Sequence, residues 1–152
     1  LRLRSILATL LGVAYLTLAL TSLLNWAADR WGGGPVLGSL GPLPAPSSLG
    51  LFIPLFTVGI LYASSYYYWR SGPRLEFHAI LLVASILSLS LSILELLLGF
   101  AEFLDHLVKV GLFGSAGGFD PGVFAELEIP LGLLSIPILR VSLRELRSLR
   151  GS

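Results

Sequence analysis

The chain contains no cysteine, no methionine and no glutamine, and its single asparagine is Asn25. Without thiols there is no disulfide framework, no thiolate zinc site and no CxxC redox pair. Depletion of thermolabile side chains is a signature of thermophiles, and the sequence is expected to come from one. The absent initiator methionine points to a processed or trimmed start. Charge is scarce as well. Only 12% of the 152 residues are Asp, Glu, Lys or Arg, against roughly 25% in a typical soluble domain. A water-soluble globule of this size is therefore excluded, and so is an intrinsically disordered chain. The net charge of +1, with no massed cationic surface, excludes a nucleic-acid partner.

What is present is apolar: 55% of residues are hydrophobic and mean hydropathy is +0.85. A bilayer core of about 30 Å needs about 20 helical residues. Runs of that kind are expected at residues 6–27, 49–69 and 76–100, the last continuing as helix to about 110, with a fourth and weaker one at 123–139. The first run is too long for the roughly 7–15-residue core of a signal peptide and is read as a retained anchor. Segments 28–48 and 111–121, rich in Gly and Pro, are loops on one side of the membrane. Ser71-Gly72-Pro73-Arg74 is so short that the second and third runs must form an antiparallel hairpin. Asp120-Pro121 reads as a helix cap followed by proline at the first helical position. Beyond Phe100 the third helix becomes amphipathic and is expected to project outside, under the first loop. The fold class is thus all-α: one membrane domain over 1–152, an antiparallel four-helix bundle with an extended third helix.

Orientation follows from the basic residues. With a cytoplasmic N-terminus, eight Arg (2, 4, 70, 74, 140, 144, 147 and 150) fall inside, whereas Arg30 and Lys109 fall outside. That asymmetry places both termini in the cytoplasm of a multi-pass cell-membrane protein, with 140–152 as a basic tail. Trp69 and Arg70, together with Arg140, Arg144 and Arg147, are the expected lipid-headgroup anchors.

Small and polar residues recur at helical spacing. The third helix carries His78, Ser85, Ser88, Ser92, Glu95, Gly99, Glu102, His106 and Lys109 on one stripe. The first has Ser5, Ala8, Gly12, Ala19 and Ser22 around Tyr15; the second has Gly59 and Ala63; the fourth has Glu128, Gly132, Ser135 and Ser142. In lipid such stripes face other helices, because small residues let backbones approach and polar ones avoid hydrocarbon. Gly12, Ser85, Ser88, Ser92, Gly99 and Gly132 are accordingly assigned to the packing seam.

Glu95 lies well inside a span, where a charge costs roughly 2.5–3.5 kcal/mol. Glu102 and Asp105 stand above it, and Asp120, Glu126 and Glu128 enter at similar height. Glu95, Glu102 and Glu128 are the candidates for a proton or cation site, with Lys109 and Arg30 as possible ion-pair partners. His78 and His106 are 28 positions apart on one helix, about 42 Å, so they cannot share one haem. The C-terminal Arg series, which begins where the fourth run ends, fits headgroup contact better than voltage sensing. No GxSxG, HExxH, Walker A or complete GxGxxG motif occurs.

The expected function is therefore that of a non-catalytic accessory or structural subunit of a larger membrane complex, with no cofactor and no metal. Its partners would be membrane lipids and other membrane subunits, or further copies of itself. The alternative is a small homo-oligomeric ion- or proton-coupled transporter or channel using an intramembrane glutamate. A lipid- or quinone-binding membrane protein is the third reading.

Overall fold

The computed structural model describes residues 2–34, 36, 39–40, 43–44, 49–71, 74–114, 118–119, 121–124 and 126–150. They form four long helices, α1 (Arg2–Arg30), α2 (Leu49–Ser71), α3 (Arg74–Phe113) and α4 (Glu128–Arg150). Two-residue strands β1 (Ser39–Leu40) and β2 (Leu43–Pro44) pair antiparallel between α1 and α2. A 3₁₀ turn at Pro121–Phe124 precedes α4. The helices α1, α2 and α3 are each long and apolar enough to cross a membrane.

Neighbouring helices run antiparallel, as their side-chain partners show. Gly12 of α1 sits against Gly59, Tyr62 and Ala63 of α2, and Gly59 in turn lies against Leu16. On the other side of the bundle, Ser92 of α3 meets Ile129 of α4, and Ser85 meets Ser135. Tyr62 bonds Ser85 between α2 and α3, and Arg4 meets Glu145 at 3.4 Å between α1 and α4. The core holds Leu11, Tyr15, Leu18, Leu55, Val58, Tyr62, Phe77, Leu81 and Ile138. The outer faces carry large apolar side chains instead, among them Ile6, Leu10, Val13, Ile53, Ile60, Val83, Ile93 and Leu97. An apolar exterior around a partly polar interior is the pattern of a bundle solvated by lipid.

Three boundaries differ from the sequence expectation. α1 runs on to Arg30 and stops at Gly32, which has φ 76°. There Gly33 N–H donates to Ala28 O at 2.9 Å and Gly32 N–H to Asp29 O at 3.2 Å, the paired bonds of a Schellman stop. α3 passes through Gly111 and ends at Phe113, with Gly114 in the left-handed conformation (φ 62°) after it. The fourth helix begins at Glu128 and not near Val123, because Pro121 opens the separate 3₁₀ turn. The apolar stretch of α4 is therefore only residues 129–139, about 17 Å of helix. By length and composition α4 is not among the helices able to cross a membrane. The helix continues without interruption through Pro137 to Arg150, so the basic tail is its last turns. The cap assigned to Asp120 and the turn residues Gly72 and Pro73 lie outside the described residues.

The 40 residues of α3 span about 60 Å at 1.5 Å each, twice a bilayer core. Its far end carries Phe103 and His106 against Phe119, which also touches Phe124. The described contacts of that end are thus with the segment before α4, and Lys109 there pairs with Asp105 one turn earlier.

Candidate functional site

The bundle interior contains a column of hydroxyl groups. A run of small polar residues would normally favour turns over helix. Here each can satisfy itself against its own helix or a neighbour. Thr9, Thr17 and Thr21 donate to the carbonyl four residues back, and Ser65 donates to Tyr62 O three residues back at 2.6 Å. Other hydroxyls cross between helices. Tyr15 of α1 bonds Ser88 of α3 at 2.5 Å. Tyr62 of α2 donates to Ser85 of α3 at 3.1 Å and stands within reach of Ser88 and Ser135. The two tyrosine rings stack with centroids 6.2 Å apart. Ser92 of α3 donates to Ile129 O of α4 at 3.1 Å, while Ser135 donates to Gly132 O of its own helix at 2.5 Å and reaches Ser85 O of α3 at 3.4 Å. Four helices thus meet through one buried set of Tyr and Ser side chains.

Glycine makes the meeting possible on α4. A Cβ on Gly132 would collide with the Ser92 side chain and lie 2.9 Å from Ser88 O. On α1, a Cβ on Gly12 would lie 2.8 Å from the Ala63 backbone nitrogen. Both positions are close helix crossings that only a hydrogen side chain permits.

One turn before Gly132, at the start of α4, Glu128 is completely buried, and neither carboxyl oxygen forms a hydrogen bond to another described residue; the residue's own backbone N–H lies close to them. Tyr15, Glu95 and Glu126 lie within electrostatic range of it. Glu95 is half-buried and Glu102 is exposed. Glu126, in the turn ahead of α4, is pushed above the usual carboxylate range by burial, and further by the Glu95 and Glu102 carboxylates. The acids therefore grade from exposed Glu102, through Glu95 and Glu126, to sealed Glu128. No group of three His, Asp or Glu able to hold a metal ion occurs among the described residues.

The other singled-out residues fall as follows. Gly12, Ser85, Ser88, Ser92, Gly99 and Gly132 are buried. Trp69 and Arg70 are exposed at the end of α2, where Trp69 touches Tyr66. Arg140, Arg144 and Arg147 are exposed along α4. Shallow apolar grooves open on the outer faces, one lined by Ile6, Leu10, Tyr66 and Trp69 and one by Pro54, Val58, Leu87 and Leu94. Tyr62 was not singled out by sequence. It sits in an otherwise apolar run, and its only signal is the four-residue multiple that separates it from Tyr66 on one face of α2.

Truncating one partner of the column tests its bonding. Ser88→Ala leaves the Tyr15 hydroxyl buried and unpaired, an expected loss of about 1–3 kcal/mol. The double variant Tyr15→Phe/Ser88→Ala removes both polar partners and should recover most of that loss in a detergent melt. A double variant as unstable as the sum of its parts would show that the hydroxyl pair is not the source.

Compared with known proteins, the chain matches no family model, no curated protein and no solved structure.

Proposed function

We propose that this chain is a small multi-pass membrane protein that moves protons across the bilayer through Glu128 and the hydroxyl column. The observation that carries the reading is the Glu128 carboxyl, wholly buried and without a hydrogen-bond partner among the described residues. An isolated buried carboxylate is among the costliest groups a protein can hold, and ionisable groups inside membranes mark ion and proton routes. The hydroxyls beneath it suit protons. Each Ser or Tyr can accept one proton while releasing another. Read with the positive-inside rule, the Arg-rich end of α2 and the N-terminal end of α1 face the cytoplasm, and the end of the bundle near Glu128 faces outward.

The test is proton flux in liposomes, driven by a potassium diffusion potential and followed with a pH-sensitive dye trapped inside. Wild type should acidify the lumen faster than protein-free vesicles. Glu128→Gln should lower that flux at least tenfold while the purified protein stays monodisperse. Equal flux from the two proteins would remove Glu128 from the reading.

A second reading, a subunit of a larger membrane assembly, is favoured by the far end of α3. That end exposes Leu104, Leu107, Val108, Val110, Leu112 and Phe113 on a helix about twice as long as a bilayer core is thick. Native mass spectrometry of the protein from its own membranes checks this: stoichiometric partner masses support a subunit, and a lone chain opposes it.

A further inference from the structure

Glu128 explains one end of the column and leaves the other open. Besides its two oxygens, the one buried side-chain nitrogen or oxygen without a hydrogen-bond partner among the described residues is His78 Nδ1. His78 lies on α3, is 3% exposed, and packs edge-on against Phe77. From Ser92 it is separated by 14 positions, about 21 Å along the helix. The two unpartnered titratable side chains thus stand at opposite ends of the serine row Ser85, Ser88 and Ser92 of α3.

Helix register places other polar groups beside His78. The Ser85–Ser135 and Ser92–Ile129 contacts bring Ser142 of α4 to the level of His78. The Tyr15–Ser88 contact brings Ser5 of α1 to the same level. Both serines are buried, and buried Ser65 of α2 lies between that level and Tyr62. The charged groups that reach His78 are Glu145 of α4, Arg4 of α1 and Arg74 of α3 itself. Arg4 and Glu145 hold each other at 3.4 Å and are both partly exposed. They close the bundle end just outside His78 with groups that water reaches.

We infer that His78 is the second proton-exchange residue of the path, receiving protons from the hydroxyl column and releasing them past the Arg4–Glu145 pair. This rests on the proposed role of Glu128. The step is a relay without net chemistry. Because no hydroxyl among the described residues bonds the Glu128 carboxyl, its proton must pass through a water molecule to the first hydroxyl of the column. That hydroxyl gives its own proton to the next, while Glu128 regains a proton from the outer solution past Glu126 and Glu95. The last proton binds the lone pair of His78 Nδ1, forming imidazolium. The imidazolium then loses a proton to water at the Arg4–Glu145 end. Between Ser85 and His78 the gap is two helical turns, about 10 Å, and a relay across it requires water beside Ser65, Ser142 and Ser5. Buried water needs two to four polar partners, and these serines with His78 supply them.

The experiment is the liposome flux assay on wild type, His78→Ala, His78→Gln and Glu128→Gln. The inference expects both His78 variants to fall at least tenfold. It also expects millimolar imidazole to restore His78→Ala but not Glu128→Gln, since only the first leaves a space of imidazole shape. A histidine with a packing role would give no such selective rescue. His78→Gln, close in volume, keeps the test valid if His78→Ala fails to fold. Wild-type flux that needs Glu128 but survives in both His78 variants overturns this inference and leaves the Glu128 reading standing. Wild-type flux no greater than that of empty vesicles overturns both.

Discussion

Glu128→Leu is expected to melt at a higher temperature than wild type and to carry no proton flux. The two effects have one cause. The Glu128 side chain is sealed from solvent, and its oxygens have no hydrogen-bond partner among the described residues. A buried polar group in that condition costs about 1–3 kcal/mol by mutational measures. Leucine has similar length and no polar atoms, so the substitution removes the cost without opening a cavity. For a chain of this size a gain of that order corresponds to a rise of a few degrees in melting temperature. A residue kept for packing behaves the opposite way, because its removal destabilises. Differential scanning fluorimetry in detergent, beside the flux assay, separates the two. A variant both less stable and inactive would mark Glu128 as a structural residue.

Gly132→Val should have the largest effect on folding. The valine Cβ would overlap the Ser92 side chain and lie 2.9 Å from Ser88 O. Ser92 is on a rigid helix, and its hydroxyl already bonds Ile129 O, so α4 must move outward. Overpacking a tight site typically costs about 1–3 kcal/mol. Here the cost should reach the upper end or beyond, because the displaced contact is backbone as well as side chain. Separating α3 from α4 also exposes Glu128 and breaks the Ser135–Ser85 contact. The expected result is loss of the monodisperse peak in size-exclusion chromatography. Gly132→Ala is expected to be milder but still destabilised. A Gly132→Val protein with wild-type melting would mean that the helices do not cross as closely as described.

Much of the architecture is legible in the amino-acid sequence, for physical reasons. Apolar runs of bilayer length announce α1, α2 and α3; Gly12 and Gly59 lie where α1 meets α2, whereas the α3 stripe is half-buried at Glu95 and exposed at Glu102 and Lys109. The start of α4 was not legible. Val123 and Phe124 continue the apolar pattern, yet Pro121 commits them to a 3₁₀ turn, and only the chain's path over Phe103 and His106 explains why. The depth of each acid was hidden as well. Glu95 looks the most buried because it lies deep within an apolar run, whereas Glu128 looks like a favourable acid in the first turn of a helix. Burial of Glu128 depends on Gly132 letting α4 press against Ser92, a contact between residues 40 positions apart. Tyr62 joins the column only through the crossing of α2 with α3, which no pattern within α2 reveals.

On the proposed function, protons are the species that crosses this bundle. The most direct test is the reversal potential of the current through the purified protein in a planar bilayer, with pH stepped on one side only. A proton-selective path predicts a shift of about 59 mV for each tenfold change in proton activity, the one-charge value, unaffected by exchanging sodium for potassium. A reversal potential that ignores pH and follows the sodium or potassium gradient, or the absence of any current above that of the bare bilayer, would contradict it.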